Sequence, residues 1–324
     1  MNPIRRDLLN QLLASREQFL SGEELSERLK VSRTAIWKHI EELRKEGYEI
    51  EAVRRQGYKL ISVPTKLSSS TIQPYLETDS FGQKLYVYEE VDSTQAIAHK
   101  LAREGAPSGT LIIADHQTAG KGRLGRSWFS PPGTGIWMSL IIRPDIPLSN
   151  APQLTLLSAV ALAQVLKEYA KEVGIKWPND LLIHGKKVAG ILTELNAEPD
   201  RINYVVIGIG LNVNQEAEHF PEELGNVATS LRLETGTVIS RNKLIIELIH
   251  RWEKVYSLYL EHGFAPIRTL WESYAVSLGR EIIARTLQGD IKGYAEGITA
   301  DGVLLLRDEQ GVVHQIYSAD IETI

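Results

Sequence analysis

Apolar residues recur at helical spacing from the start of the chain, where Ile4, Leu8, Leu9, Leu12 and Leu13 share one helical face. Ser21-Gly22-Glu23-Glu24 has the form of a capping box and predicts a second helix to about Lys30. Ser32 caps a third helix that runs to Gly47, with Ile36, Ile40 and Leu43 turned inward. The period then drops to two over residues 48–53 and 57–61, around Arg54-Arg55-Gln56-Gly57, which predicts a hairpin with a basic tip. Beyond Ser62-Val63-Pro64-Thr65 and Ser68-Ser69-Ser70 the chain alternates strands (84–89, 111–114, 137–142, 204–213) with helices (95–103, 153–170, 240–262, 266–273). Short strands follow at 281–286, 291–298, 302–306 and 312–317. The pattern predicts an α+β multidomain chain divided at 1–64, 65–274 and 275–324.

Composition narrows the class. Of 324 residues, 43% are apolar and 24% charged, which fits an ordinary globular protein and excludes disordered and fibrous classes. The chain has no cysteine, which removes disulfides, thiolate metal sites and cysteine nucleophiles together. No apolar run approaches a membrane span, and the first residues hold no apolar signal core, so a cytoplasmic protein without membrane contact is expected. The net charge of −5 argues against a general polyanion binder, but the charge is unevenly spread. Residues 1–64 hold 12 Lys/Arg against 10 Asp/Glu, a local +2, and the remainder carries −7. Nucleic-acid contact is therefore expected at the front.

The front resembles a winged helix-turn-helix. In such modules the third helix enters the major groove by its N-terminal residues, here Ser32, Arg33, Thr34, Trp37 and Lys38. Arg33 suits guanine, while Arg54 and Arg55 on the wing suit phosphate. The weak local charge suggests that a dimer on paired half-sites is needed. The competing reading is a protein-docking module.

The densest chemistry lies at Gly120-Lys121-Gly122-Arg123-Leu124-Gly125-Arg126, which joins three glycines to three fixed positive charges. Glycine lets backbone approach a ligand closely, and Lys and Arg donate to carboxylate or phosphate. The loop also matches Gly-x-Gly-x-x-Gly, but the run Ser127-Trp128-Phe129-Ser130-Pro131-Pro132 cannot open the helix a dinucleotide fingerprint requires. No Gly-Lys-Ser/Thr completes a Walker loop. Other polar groups recur at turns: Asp92-Ser93-Thr94-Gln95 at a helix start, Lys176-Trp177-Pro178-Asn179-Asp180, Lys186-Lys187, and Asn212 at a strand end. Taken singly, these read as capping, an ordinary turn and a solvated hairpin edge.

Their order along the chain resembles the biotin–protein ligases, and with the winged helix in front the whole chain resembles the bifunctional repressor–ligases of bacteria. The resemblance implies a central α/β domain of the biotin/lipoate ligase type and a C-terminal SH3-like β-barrel. It implies ATP and biotin as substrates, Mg²⁺ with the nucleotide, and biotinyl-5′-AMP as the intermediate. It also implies transfer of biotin to a lysine of the biotin carboxyl carrier protein of acetyl-CoA carboxylase, with the intermediate promoting a homodimer that represses biotin-synthesis genes at operator DNA. Residue by residue, Ser93, Thr94, Gln95 and Gln117 match positions that hold the ureido ring. Gly120, Lys121, Gly122 and Arg123 match the lid over carboxylate and adenylate. Lys187 matches the lysine between the reacting carboxylate and the α-phosphate, with Arg126 and Lys176 assisting at phosphate. Trp128 matches an aromatic beside adenine, and Asn179, Asp180 and Asn212 match the nucleotide and metal side. Lys187, Arg123 and Asp180 are the expected catalytic residues, Asp180 as acceptor of the amine proton. Position 121 is Lys where the family has Arg, and position 124 is Leu, so one planar fork is missing from the lid. Two rivals remain: a lipoate-type ligase, and a repressor that senses a metabolite without catalysis.

Overall fold

The computed structural model of the protein describes residues 3–15, 18–62 and 66–323. They form two compact units, Met1–Glu77 and Thr78–Ile324. The boundary expected at 64/65 and the side chain of Leu13 lie outside the described residues.

In the first unit, helices α1 (Pro3–Ala14), α2 (Gly22–Leu29) and α3 (Arg33–Lys45) precede a hairpin of β1 (Glu49–Val53) and β2 (Gly57–Ser62). Ser21 and Ser32 cap α2 and α3 as their sequence pattern predicts, each accepting a backbone N–H three residues on. Leu8, Leu9, Leu12, Leu25, Ile36, Ile40 and Leu43 close with Tyr48, Ile50 and Leu60 into one core. This is the winged helix-turn-helix arrangement. A short helix α4 (Ser69–Ile72) follows, capped by Ser68.

The second unit is built on a seven-stranded sheet. Its strands are β3 (Leu85–Val91), β4 (Leu111–Gln117), β5 (Gly135–Ile142), β6 (Val173–Lys176), β7 (Asp180–Ile183), β8 (Lys186–Glu198) and β9 (Arg201–Asn212). Their spatial order is β3-β4-β5-β9-β8-β7-β6. Only β3 and β4 pair in parallel, through the crossover helix α5 (Thr94–Arg103), and the other pairs are antiparallel. All eight residues of β5 are buried, so this strand is covered on both faces. The helices α6 (Ala151–Leu166), α7 (Leu231–Thr235), α8 (Arg241–His262) and α9 (Phe264–Tyr274) follow. Helices α6, α8 and α9 pack on one another around buried Trp252, whose Nε1 donates to Ser158 Oγ at 3.0 Å. Helix α6 stops four residues short of the expected end, where residues 167–169 close into a turn.

Five antiparallel strands end the chain: β10 (Glu281–Thr286), β11 (Gly289–Ile298), β12 (Leu304–Arg307), β13 (Val313–Ile316) and β14 (Asp320–Thr323), ordered β13-β12-β11-β10-β14. This is the SH3-like element. It is fastened to β6, the turn after it and α6 by Val276 N–H to Ile175 O at 3.0 Å, Trp177 Nε1 to Gly302 O at 3.2 Å and Gln153 Nε2 to Ala300 O at 3.0 Å.

Candidate active site

The start of α5 lies against the middle of the sheet, and its polar side chains form one connected net. Gln117 Oε1 accepts from Thr94 N at 2.8 Å and Thr94 Oγ1 at 3.1 Å, while Gln117 Nε2 donates to Ser130 Oγ at 2.9 Å. Thr94 Oγ1 and Ser139 Oγ are 2.9 Å apart, and Ser139 donates to Gln95 Oε1 at 3.0 Å. Ser93 is the exception. Its hydroxyl is 1% exposed and has no hydrogen-bond partner. A buried polar group left unpaired costs stability unless something else satisfies it, so this hydroxyl points to a ligand.

Opposite the net, residues 120–128 fold back on themselves. Trp128 N–H donates to Gly120 O at 2.8 Å and Gly122 N–H to Arg126 O at 2.7 Å, with Leu124 in the left-handed region at φ 56°. Two arginines of this loop reach other elements. Arg123 donates to Asn179 Oδ1 at 2.8 Å and to Ser318 Oγ at 2.9 Å, and Arg126 pairs with Asp320. Burial lowers the Arg123 pKa, and the nearby Asp180 and Asp320 carboxylates oppose that shift.

Lys187 enters from β8. Register shifts between Leu181 and Leu182, and such an irregularity re-aims the side chains around it. Its ammonium lies 2.7 Å from Asp180 Oδ1, an ion pair too poorly aligned to count as a hydrogen bond, and 5.2 Å from the centre of the Trp128 ring. Its backbone is held from outside the sheet by Val227 O at 2.8 Å and Thr229 N–H at 2.9 Å.

Ser93, Thr94, Gln95, Gln117, Lys121, Gly122, Arg123, Arg126, Trp128, Asn179, Asp180 and Lys187 therefore line one cavity of about 120 Å³. Three residues singled out in the sequence stand apart. Gly120 opens on a neighbouring cavity, and Lys176 lies in a cleft toward the last sheet with Arg126, Arg285 and Glu322. Asn212 is buried and engaged with Thr229 O and Gln215. The segment Gly208–Asn212, part of the family resemblance, brings Gly208 and Gly210 to the cavity, whereas Ser139, Gly190 and Asp320, which also line it, were not expected. A lone serine inside the apolar run Ile136–Ile142 was the available signal for the first. Asp320 had none, because its neighbours in the site lie far away in sequence.

The seven residues expected to meet DNA are all exposed, five on the first turns of α3 and two at the hairpin tip. Arg33 pairs with Glu23 at 2.8 Å, and Trp37 is 56% exposed.

The site is thus a cavity lined by amide, hydroxyl and cationic groups in a mixed sheet, with a winged helix earlier in the chain. Residues 87–212 match the biotin/lipoate A/B protein ligase family, residues 4–59 an HTH domain, and residues 277–323 the biotin protein ligase C-terminal domain. The chain is 54% identical over 320 residues to the bifunctional ligase/repressor BirA of Bacillus subtilis, covering 98% of each chain. It is 34% identical to its namesake in Escherichia coli, covering 93% of this chain and 92% of that one. The biotin protein ligase of Aquifex aeolicus, solved in complex with biotin and ATP, superposes with a TM-score of 0.64 at 31% identity, over 75% of this chain and 99% of that one. The chain belongs to the bifunctional ligase/repressor family of biotin protein ligases.

Proposed function

We propose that the chain is an ATP-dependent biotin–[acetyl-CoA-carboxylase] ligase that also represses biotin-synthesis genes. A biotin carboxylate oxygen attacks the α-phosphorus of ATP. The bond from that phosphorus to the bridging oxygen of pyrophosphate breaks, and pyrophosphate leaves with the electron pair. The neutral amine of a carrier lysine then attacks the acyl carbon of biotinyl-5′-AMP. The acyl–phosphate bond breaks, AMP departs, and the amine proton passes to Asp180. Lys187 offsets the repulsion between the two reacting anions and the charge that builds during transfer. Arg123 and Arg126 clamp the mixed anhydride from the lid side, and Lys176 and Arg126 meet the outgoing phosphates. The observation that carries this reading is the unpaired Ser93 hydroxyl beside the Thr94–Gln95–Gln117 net, in the same cavity as Lys187 and Arg123. Biotin needs several donors and acceptors for its ureido ring at one end of a site and a cation for its carboxylate at the other.

Asp180 and Asn179 offer oxygen donors of the hard kind Mg²⁺ prefers. Among the described residues no group of three or more His, Cys, Asp or Glu could hold a metal. Such oxygen donors suit an ion that arrives on the phosphates of ATP. The parts that we assign to separate tasks are residues 1–64 for DNA, 65–274 for catalysis and 275–324 as a cap on the lid. Biotinyl-5′-AMP promotes a homodimer that grips operator DNA in the cytoplasm. No described helix is long and apolar enough to cross a membrane.

Incubation with biotin, ATP, Mg²⁺ and a carrier domain should add one biotinyl group to the carrier, and lipoate should not replace biotin. An unmodified carrier refutes the ligase reading. Operator retention in a gel that ignores biotin plus ATP refutes the coupling of ligation to repression.

A further inference from the structure

Lys187 pairs with Leu182 just past the register shift of β7 against β8, so the regular ladder does not by itself set the direction of its side chain. Its backbone is held from outside instead. Lys187 N–H donates to Val227 O at 2.8 Å and Thr229 N–H donates to Lys187 O at 2.9 Å, so that residues 227–229 run parallel beside it. Thr229 is buried, and its hydroxyl donates to Glu234 Oε1 at 2.5 Å. The other oxygen of that carboxylate, Oε2, accepts from His184 Nδ1 at 2.6 Å. His184 stands at φ 49° in the turn between β7 and β8, a few residues ahead of Lys187. The contacts close a ring that runs from the Lys187 backbone to Thr229, Glu234 and His184 and back along the chain to Lys187. Glu234 lies on α7, which Ser230 caps and the buried Leu231 anchors, and its side chain is only 15% exposed. Hydrogen bonds to a carboxylate are shorter and roughly twice as strong as neutral ones, so each link restricts geometry. Thr229, Glu234 and His184 do not line the cavity, and reach it only through Lys187.

We propose that Glu234 is a positioning residue for Lys187: by holding Thr229 and His184 at once it fixes the backbone on both sides of the lysine and aims its ammonium at the reacting groups. This rests on the reading of Lys187 as the charge beside the acid and the α-phosphate. A fixed charge helps only where it already stands at the atoms that change charge, and a displacement of ~1 Å can cost on the order of 100-fold in rate.

The test compares full-length variants in biotin-dependent exchange of labelled pyrophosphate into ATP at saturating substrates, and in calorimetric titration with biotin. Glu234→Ala opens the ring at both links and should lower the maximal exchange rate ~10–100-fold. Biotin affinity should change by less than about threefold, because the Thr94–Gln95–Gln117 net lies on other elements. Thr229→Val removes the hydroxyl at nearly constant volume and should slow exchange about tenfold, while Thr229→Ser, which keeps the hydroxyl, should stay within about threefold of native. Thr229→Val and Glu234→Ala break a shared link, so their combined loss should fall well short of the product of the two. Circular dichroism at the assay temperature establishes which variants are folded, and the Thr229 pair decides the matter if Glu234→Ala is not. A folded Glu234→Ala or Thr229→Val with maximal exchange within about threefold of native overturns the positioning role. So does an equal loss in the valine and serine variants, or a loss of biotin affinity that matches the loss of rate. A native chain without biotin-dependent exchange overturns the functional reading and the positioning role together, whereas native exchange with unaltered variants overturns the positioning role alone.

Discussion

Replacing Lys187 with glutamine keeps a polar side chain shorter by one atom and removes its charge. The ammonium lies 2.7 Å from Asp180 Oδ1. At that separation a unit charge interacts with another by about 6 kcal/mol at an effective dielectric of ~20 and by about 1.5 kcal/mol in water. A third of the Lys187 side chain is open to solvent, so its attraction for a phosphate at similar range falls within the lower half of that span. A loss of about 2.7–4 kcal/mol, or ~10²–10³ in rate, is also the measured effect of deleting one fixed donor at a developing negative charge. The assay is biotin-dependent exchange of labelled pyrophosphate into ATP, which isolates the first half-reaction. The same substitution strands Asp180 without its counter-charge, so the fold should weaken by ~1–3 kcal/mol. Adding Asp180→Asn should restore stability but not exchange. An exchange rate within about tenfold of native, equivalent to 1.4 kcal/mol, would refute the electrostatic role of Lys187.

Ser93→Ala should leave stability unchanged or raised, because the hydroxyl has no partner, yet weaken biotin by ~1–3 kcal/mol in calorimetry; equal affinity would remove Ser93 from the site. Arg123→Gly cuts the links to Asn179 and Ser318 and should release biotinyl-5′-AMP ~10–100-fold faster, at about 1.5–3 kcal/mol for a charged hydrogen bond; unchanged retention of the intermediate would count against the clamp. His184 Nδ1 donates to Glu234 Oε2 at 2.6 Å, and that hydrogen bond raises its pKa above 6.5. The pair therefore contributes its stability below the unfolded value near 6.5, and loses it as pH rises through the raised folded value. An NMR titration should place the ring above 6.5 and Glu234→Gln should bring it back; coincident curves would contradict the pairing.

Long periodic segments were legible in the sequence. The caps at Ser21 and Ser32 and the strand at Glu281–Thr286 stand where the pattern predicts them. Strands β6 and β7 were not legible, because four residues are too few to show alternation and Trp177-Pro178-Asn179 reads as a turn. Strand β8 opens with Lys186-Lys187 and then runs apolar without a clear period, so it looked like an edge rather than the longer of the two partners of β9. The site divides in the same way. Thr94 and Lys187 stood out as polar groups at the ends of elements and Gln117 came only with the family resemblance, whereas Ser139 is silent inside an apolar strand. Asn212 looks like a ligand in sequence, yet in the fold both ends of its amide are taken by Thr229 and Gln215. Sequence shows which residues are polar and where a strand ends, but the pairing of β8, β9 and the 214–235 segment decides which polar groups are left over.

The loop arginines are fastened to Ser318 and Asp320 across 195 and 194 residues of chain. The candidate pocket therefore takes part of its shape from the five-stranded sheet, far away along the chain. Gentle warming that frays this terminal sheet should silence the enzyme while the main sheet and the winged helix are still intact, so that inactivation runs ahead of melting.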